Sequence, residues 1–100
     1  MEKRMSFNIG EIVGVACSIQ LGPFPDERLV TVETEDGLIS GFVKQFNLKL
    51  NDPDPEHGFV KGAVVQTADE SITVKLFGSF FTTASGVASV RRNNLTRLAA

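Results

Sequence analysis

Apolar and small or polar residues alternate through the first predicted element of the chain. Every second position from Ile12 to Leu21 carries a side chain suited to a core, namely Val13, Val15, Cys17 and Ile19. A period of two sends one set of side chains toward a core and the other toward solvent. The pattern therefore predicts a strand over Ile12–Leu21, with the Cys17 thiol on its inward face.

The alternation returns after a break rich in proline. The segment Leu21–Arg28 contains two prolines, a glycine and adjacent acids, which interrupt a strand and predict a loop. Strands are then predicted over Leu29–Glu35 and Leu38–Lys44, joined by Asp36 and Gly37. An Asp-Gly pair is a strong hairpin signal, because the favoured two-residue turn needs positive φ at both central positions.

The second half of the sequence follows the same plan. Its strands are predicted over Phe59–Thr67, Ile72–Phe77 and Gly86–Arg91, with a turn at Ala68–Ser71. An Asn-Leu pair closes each half at the same spacing from a preceding valine. The matching residues are Val43, Asn47 and Leu48 in the first half and Val90, Asn94 and Leu95 in the second. A duplication is one explanation, and chance likeness between short strands is the other.

These elements predict one all-β domain over residues 1–100. Apolar residues make up 42% and charged residues 22% of the chain, as in ordinary globular domains. We expect a small barrel or sandwich of about six strands, built from similar units at 9–50 and 58–98. An acidic, proline-containing loop at 51–57 joins the units, because either half alone would be marginal as a core.

The segment Val32–Leu48 resembles part of Src-homology-3-like barrels, their distal hairpin and closing turn. The residues that carry the resemblance are the Asp36-Gly37 turn, the strand Gly41-Phe42-Val43 and the pair Asn47-Leu48. Val87–Leu95 is similar to a more degenerate copy of this segment. The resemblance implies a barrel and no particular function. Members that bind proline-rich peptides use tyrosine and tryptophan, and this chain has neither, so we do not expect that activity.

Two loops that contain phenylalanine are the candidate partner-binding sites. In the first, Phe24 lies between two prolines and precedes Asp26 and Glu27. This arrangement predicts a preorganised apolar tip with an acidic rim, suited to anchoring a protein partner. In the alternative, Phe24 folds back and plugs one end of the barrel.

The second loop runs from Phe77 to Gly86 and contains Phe80 and Phe81. Side chains of a hairpin alternate between its faces, so these three phenylalanines cannot all point inward. We expect at least one to be exposed or buried against a second copy, and hence a homodimer that uses this segment. A bulge that sends both Phe80 and Phe81 into the core would instead leave a monomer.

The charge pattern argues against nucleic acid as the main partner. The formal net charge is −2, and the basic cluster is small, without interleaved aromatic residues. It consists of Arg91, Arg92 and Arg97. We expect these arginines to be solvated or to pair with the acids Glu33, Glu35 and Asp36. Contact with nucleic acid or a ribonucleoprotein through the cluster is the leading alternative function.

Candidate chemistry is sparse. His57 is the only histidine and stands near Asp52, Asp54 and Glu56, but neighbouring prolines stiffen the chain against calcium-loop geometry. No metal, cofactor or catalytic residue is predicted, and Cys17 is expected to be an inert core thiol. The sequence favours a noncatalytic binding or assembly module with a protein partner. A small enzyme whose site forms between subunits is a second alternative.

The single cysteine excludes an internal disulfide and favours a reducing compartment, so we expect a cytoplasmic protein. A lipoprotein-type signal ending at Cys17 is disfavoured, because Asn8, Gly10 and Glu11 interrupt its apolar region. The sequence contains no apolar run long enough for a membrane-spanning helix.

Overall fold

A computed structural model describes residues 6–50, 54, 56–81 and 86–98. Within these residues, nine strands form one antiparallel sheet that curls into a half-barrel. The strands are β1 (Ile12–Leu21), β2 (Glu27–Thr34), β3 (Gly37–Lys44), β4 (Leu48–Leu50), β5 (His57–Thr67), β6 (Ser71–Leu76), β7 (Ser79–Phe80), β8 (Val87–Arg91) and β9 (Leu95–Arg97). Single 3₁₀ turns at Gln45–Asn47 and Arg92–Asn94 lead into β4 and β9. The predicted all-β class is confirmed.

The six predicted strands correspond to β1, β2, β3, β5, β6 and β8. The bounds of β1 agree with the prediction, whereas β2 and β5 begin two residues earlier than predicted, at Glu27 and His57. Strands β4, β7 and β9 were not predicted, since each has only two or three residues and carries no detectable period.

The core lies on the concave side of the sheet. The predicted inward residues Val13, Val15, Cys17 and Ile19 are all buried, and they pack with alternate residues of the neighbouring strands. The other strand residues of this core are Val30, Val32, Val43, Val60, Val64, Ile72, Val74, Leu76, Phe80, Val90 and Leu95. Short aliphatic side chains dominate, as expected for a small, tightly curved sheet.

The β2–β3 turn differs in detail from the prediction. Thr34 pairs with Gly37, so Glu35 and Asp36 are the central residues, and neither has positive φ. Gly37 follows the turn with φ 118°, where a side chain would be strained. The Thr34 hydroxyl donates a 2.7 Å hydrogen bond to the Gly37 carbonyl and accepts one of 3.1 Å from the Asp36 amide. The glycine was thus correctly identified as a turn residue, but not at a central position.

Each half of the chain ends in a short strand that pairs with the first long strand of the other half. Strand β4 of the first half pairs with β5, and β9 of the second half pairs with β1. Val15 lies opposite Val60 where β1 and β5 cross, so an approximate twofold axis through this pair relates the halves. The same axis relates two backbone hydrogen bonds. The Ile19 amide donates to the Glu56 backbone carbonyl at 2.7 Å, and the Val64 amide donates to the Glu11 backbone carbonyl at 2.9 Å.

Strand β7 departs from this symmetry. It belongs to the connection between β6 and β8, yet it pairs with β3, where Gly41 lies opposite Phe80. In addition, the amide of Glu35, in the β2–β3 turn, donates a 2.9 Å hydrogen bond to the Ser89 carbonyl of β8. These contacts bring the two edges of the curled sheet together. The described part of the chain has no helix that is long and apolar enough to span a membrane.

Candidate functional site

The convex side of strands β1, β2, β3 and β7 presents a surface without charged side chains, which we term the uncharged face. The strand register aligns Ser18, Thr31 and Ser40 in one row across it, and Gln20, Leu29, Phe42 and Ser79 in the next. Phe81 lies beside Phe42, and Leu38 lies at the margin of the face, opposite Glu33. Glu33 bounds this face at one end, and Lys44 with Glu27 bounds it at the other. Charge depletion across neighbouring strands is a feature of interface cores.

An aromatic pair lies within the uncharged face. The rings of Phe42 and Phe81 meet edge to face, with centroids 5.3 Å apart and planes at 72°. Phe81 remains 61% exposed, and its amide donates a 2.9 Å hydrogen bond to the Ser40 carbonyl. The Ser40 hydroxyl in turn forms a 2.8 Å hydrogen bond with that of Thr31. The backbone thus holds an exposed ring in place on the sheet.

The other phenylalanines of this loop have different environments. Phe80 is only 7% exposed and packs in the core, so it does not belong to the predicted partner-binding surface. Phe77 is half-buried, its amide bonded to the Lys61 carbonyl and its own carbonyl 3.5 Å from the Asn47 side-chain nitrogen. Strand alternation therefore places Phe80 inside and Phe81 outside, as the exposed-ring prediction required. The rest of the predicted segment, 82–85, lies outside the described residues.

Phe24 projects from the β1–β2 loop and is 60% exposed, so it does not plug the barrel. The Lys44 ammonium lies 3.3 Å from a carboxylate oxygen of Asp26 and 3.3 Å from one of Glu27. These hydrogen bonds raise the pKa of Lys44 and offset the acidic rim predicted around Phe24. The Arg28 guanidinium donates a 2.9 Å hydrogen bond to the Pro25 carbonyl, which helps to order the loop.

The three arginines of the predicted basic cluster make separate contacts. The Arg92 Nε donates a 2.8 Å hydrogen bond to the Asp69 carbonyl, which ties down the turn before β6. Arg91 lines a cleft of about 510 Å³ together with Glu33 and Glu35. Arg97 forms an ion pair with Glu11 rather than with the predicted acids of the β2–β3 hairpin. Two of the three guanidinium groups are therefore engaged by partners within the chain.

Arg97 and Glu11 belong to one end of the half-barrel, which we term the closed end. The hydrogen bond from Arg97 is the main reason that the pKa of Glu11 is lowered. The Arg97 guanidinium also lies 5.2 Å from the centroid of the Phe7 ring, and Phe7 is buried as a member of the core. Phe7 was not identified from the sequence, because it precedes the first periodic segment.

The opposite end, which we term the open end, contains a groove of about 420 Å³ lined by apolar side chains, an amide, a guanidinium and a carboxylate. Its lining residues are Ile19, Gln20, Leu21, Arg28, Leu50 and Glu56. Leu21 continues the inward alternation of β1 but is 83% exposed, since the core ends at Ile19. The apolar interior thus reaches the surface here.

Catalytic chemistry has little support in the described residues. The His57 Nδ1 atom lies 2.8 Å from an Asp54 carboxylate oxygen, and this contact lowers the pKa of Asp54. Asp52, also considered with this histidine, lies outside the described residues. The described ranges contain no group of three or more side chains placed to hold a metal. Burial raises the pKa of the Cys17 thiol to about 12, which suppresses thiolate chemistry.

Comparison of the chain with protein-family models, curated proteins and solved structures yields no match.

Proposed function

We propose that this chain is a noncatalytic binding and assembly module that forms a homodimer through the uncharged face. The observation that carries the proposal is the exposed Phe81 ring, packed against the half-buried Phe42 ring on a surface without charges. Aromatic residues are enriched and charged residues depleted at the centre of protein interfaces.

A second copy is a suitable partner for this surface. A twofold dimer places a patch against its own copy, so a charged patch would set like charges against each other. The uncharged face avoids this cost although the chain carries a net charge of −2. Burying Thr31 and Ser40 also costs less than burying two unpaired hydroxyls, because one of their O–H groups already donates to the other hydroxyl.

The proposal retains the Src-homology-3-like type for the barrel. The 3₁₀ turns at Gln45–Asn47 and Arg92–Asn94, each followed by a short strand, support the closing-turn part of that resemblance in both halves. The binding role rests on the surface and not on the fold type, since barrels of one type serve many functions.

Replacing Phe81 with serine tests the dimer. We expect the wild type to sediment as a dimer at tens of micromolar, and Phe81→Ser to weaken association by about tenfold or more, since it removes a central apolar contact. At a protein concentration low enough for the wild type to be monomeric, the urea midpoint should change little, because Phe81 is 61% exposed in the single chain. Phe24→Ser is the matched control, since Phe24 is 60% exposed but lies outside the uncharged face. A monomeric wild type, or equal effects of the two substitutions, would contradict the proposal.

The nucleic-acid alternative has a separate prediction. Arg92 and Arg97 are engaged within the chain, so we expect no salt-dependent retention on single-stranded or duplex nucleic acid at low salt. Retention that weakens as salt rises, and that Arg91→Ala reduces, would favour the alternative. Phosphate contacts release counterions, so they must respond to salt.

A further inference from the structure

The internal twofold axis makes the strand pairing at the closed and open ends of the half-barrel comparable as far as Ile19 and Val64, beyond which a β-bulge in β5 has no counterpart in β1. The backbone carbonyl of Glu56 accepts a hydrogen bond from the Ile19 amide at the open end. The backbone carbonyl of Glu11 accepts the equivalent bond from the Val64 amide at the closed end. Leu50 lies opposite Gly58 in the position that Arg97 takes opposite Val13. The side chains at the two ends can therefore be compared position by position.

The closed end is completed by a ring and a cation. Phe7 is buried in the core, and Arg97 spans from the Phe7 ring, 5.2 Å from its centroid, to the Glu11 carboxylate. The ring shields the apolar interior from water, while the guanidinium pairs with the acid at the rim. The chain itself supplies both groups here.

The open end has the acid and the apolar walls. Leu21 and Leu50 are exposed beside the buried Ile19, and they form a groove of about 420 Å³ with Glu56 at its rim. Among the described residues, no cation forms an ion pair with the Glu56 carboxylate. The Arg28 Nη1 donates to the Pro25 and Glu27 carbonyls.

The sequence before β5 does not repeat the closing residues. Counting back from the equivalent acids Glu11 and Glu56, Phe7 corresponds to Asp52. The stretch from Asn51 to Glu56 reads Asn-Asp-Pro-Asp-Pro-Glu, with no aromatic or aliphatic side chain such as Phe7 and Ile9 provide in the first half. At the open end, therefore, neither the ring nor the cation has a counterpart in the equivalent positions of the chain.

We propose that the open end binds a peptide segment of a protein partner, which supplies an aromatic side chain and an arginine close to it in sequence. The partner's ring packs on Leu21 and Leu50, and its guanidinium pairs with Glu56, as Phe7 and Arg97 do at the closed end. The proposal extends the proposed binding role, but it uses a surface distinct from the uncharged face. Dimer formation and peptide binding can therefore fail separately.

Titration of the full, ¹⁵N-labelled chain with acetyl-Arg-Ser-Phe-Asn-Arg-amide, followed by NMR, tests the site. We expect saturable shifts centred on the amides of Gln20, Leu21, Leu50 and Glu56. Two control peptides, one with serine for phenylalanine and one with glutamate for both arginines, should each bind at least about tenfold more weakly. Equal binding of either control, or shifts centred elsewhere, would overturn the proposal, as would the absence of saturation at about 5 mM peptide.

Two variants of the protein test whether the peptide binds in the groove of the open end. Leu21→Ser and Glu56→Gln should each weaken binding by several-fold. Gln66→Ser, which changes an exposed residue of β5 at the closed end, should not change it. Leu21 is exposed, so we expect its variant to keep the native spectrum outside the groove. If that variant unfolds, Glu56→Gln decides the outcome. Repeating the titration in the Phe81→Ser background separates this site from the dimer, since binding should persist there.

Discussion

Replacing Gly41 with alanine is expected to lower the free energy of unfolding by about 2–4 kcal/mol. A Cβ atom at this position would lie 2.3 Å from the Ser79 carbonyl oxygen and 2.6 Å from the Phe80 Cα atom. These are backbone atoms of β7, which can yield only if β7 separates from β3 and Phe80 leaves the core. Urea unfolding followed by circular dichroism measures the change.

Gly37→Ala is the matched control for Gly41→Ala. A Cβ atom at Gly37 would meet nothing within 4 Å, so the substitution adds only the strain of placing alanine at φ 118°. That strain should cost about 1 kcal/mol. Gly41→Ala should also weaken the dimer, because displacing β7 moves Phe81, whereas Gly37→Ala should not. Equal losses of stability in the two variants would show that close packing of β7 on β3 is not what requires glycine at position 41.

Cys17 is expected to make the fold less stable as the pH rises from about 9 to about 12. Burial raises the pKa of its thiol from 9.0 to about 12, so the folded state keeps a proton that the unfolded state has lost. The contribution of the neutral thiol is fully present below pH 9 and declines with a slope of up to about 1.4 kcal/mol per pH unit. The measurement is the free energy of unfolding against pH for the wild type and Cys17→Ala.

The difference between these two pH profiles isolates the thiol, because every other titrating group is common to both proteins. Cys17→Ala should be less stable near neutral pH, where it has lost a buried side chain, and should approach the wild type at high pH. Thiol reagents should label native Cys17 slowly and the denatured chain rapidly. Parallel profiles together with rapid native labelling would place the thiol in water and reverse the predicted register of β1.

The long strands could be predicted from sequence because their alternation is local. The period from Val13 to Ile19 determines which face of β1 is buried, and this face agrees with the structure. Strand β7 could not be found in this way, since Ser79 and Phe80 form a strand only through pairing with β3. The Asp-Gly pair marked the hairpin, but the pairing of Thr34 with Gly37 determined which residues occupy the turn.

The candidate surfaces were only partly predictable. Exposure of Phe81 followed from alternation, but its neighbour Phe42 belongs to β3, in the other half of the chain. The uncharged face depends on the register of four strands, which no single segment of sequence specifies. The open end was missed for a related reason. Leu21 continues the alternation of the buried residues of β1. Only the structure shows that the core ends at Ile19 and leaves Leu21 exposed.

The reciprocal pairing of β4 with β5 and β9 with β1 has a consequence for synthesis on the ribosome. Residues Val13–Val15 leave the ribosome early, but their partners Leu95–Arg97 are among the last of the described residues to be translated. Strand β4 likewise gains its partner only when β5 appears. Until then the nascent chain carries unpaired strand edges of the kind that chaperones protect. Such long-range closure makes folding late and concerted, so ribosome pauses that expose only the first half should yield no protease-resistant intermediate.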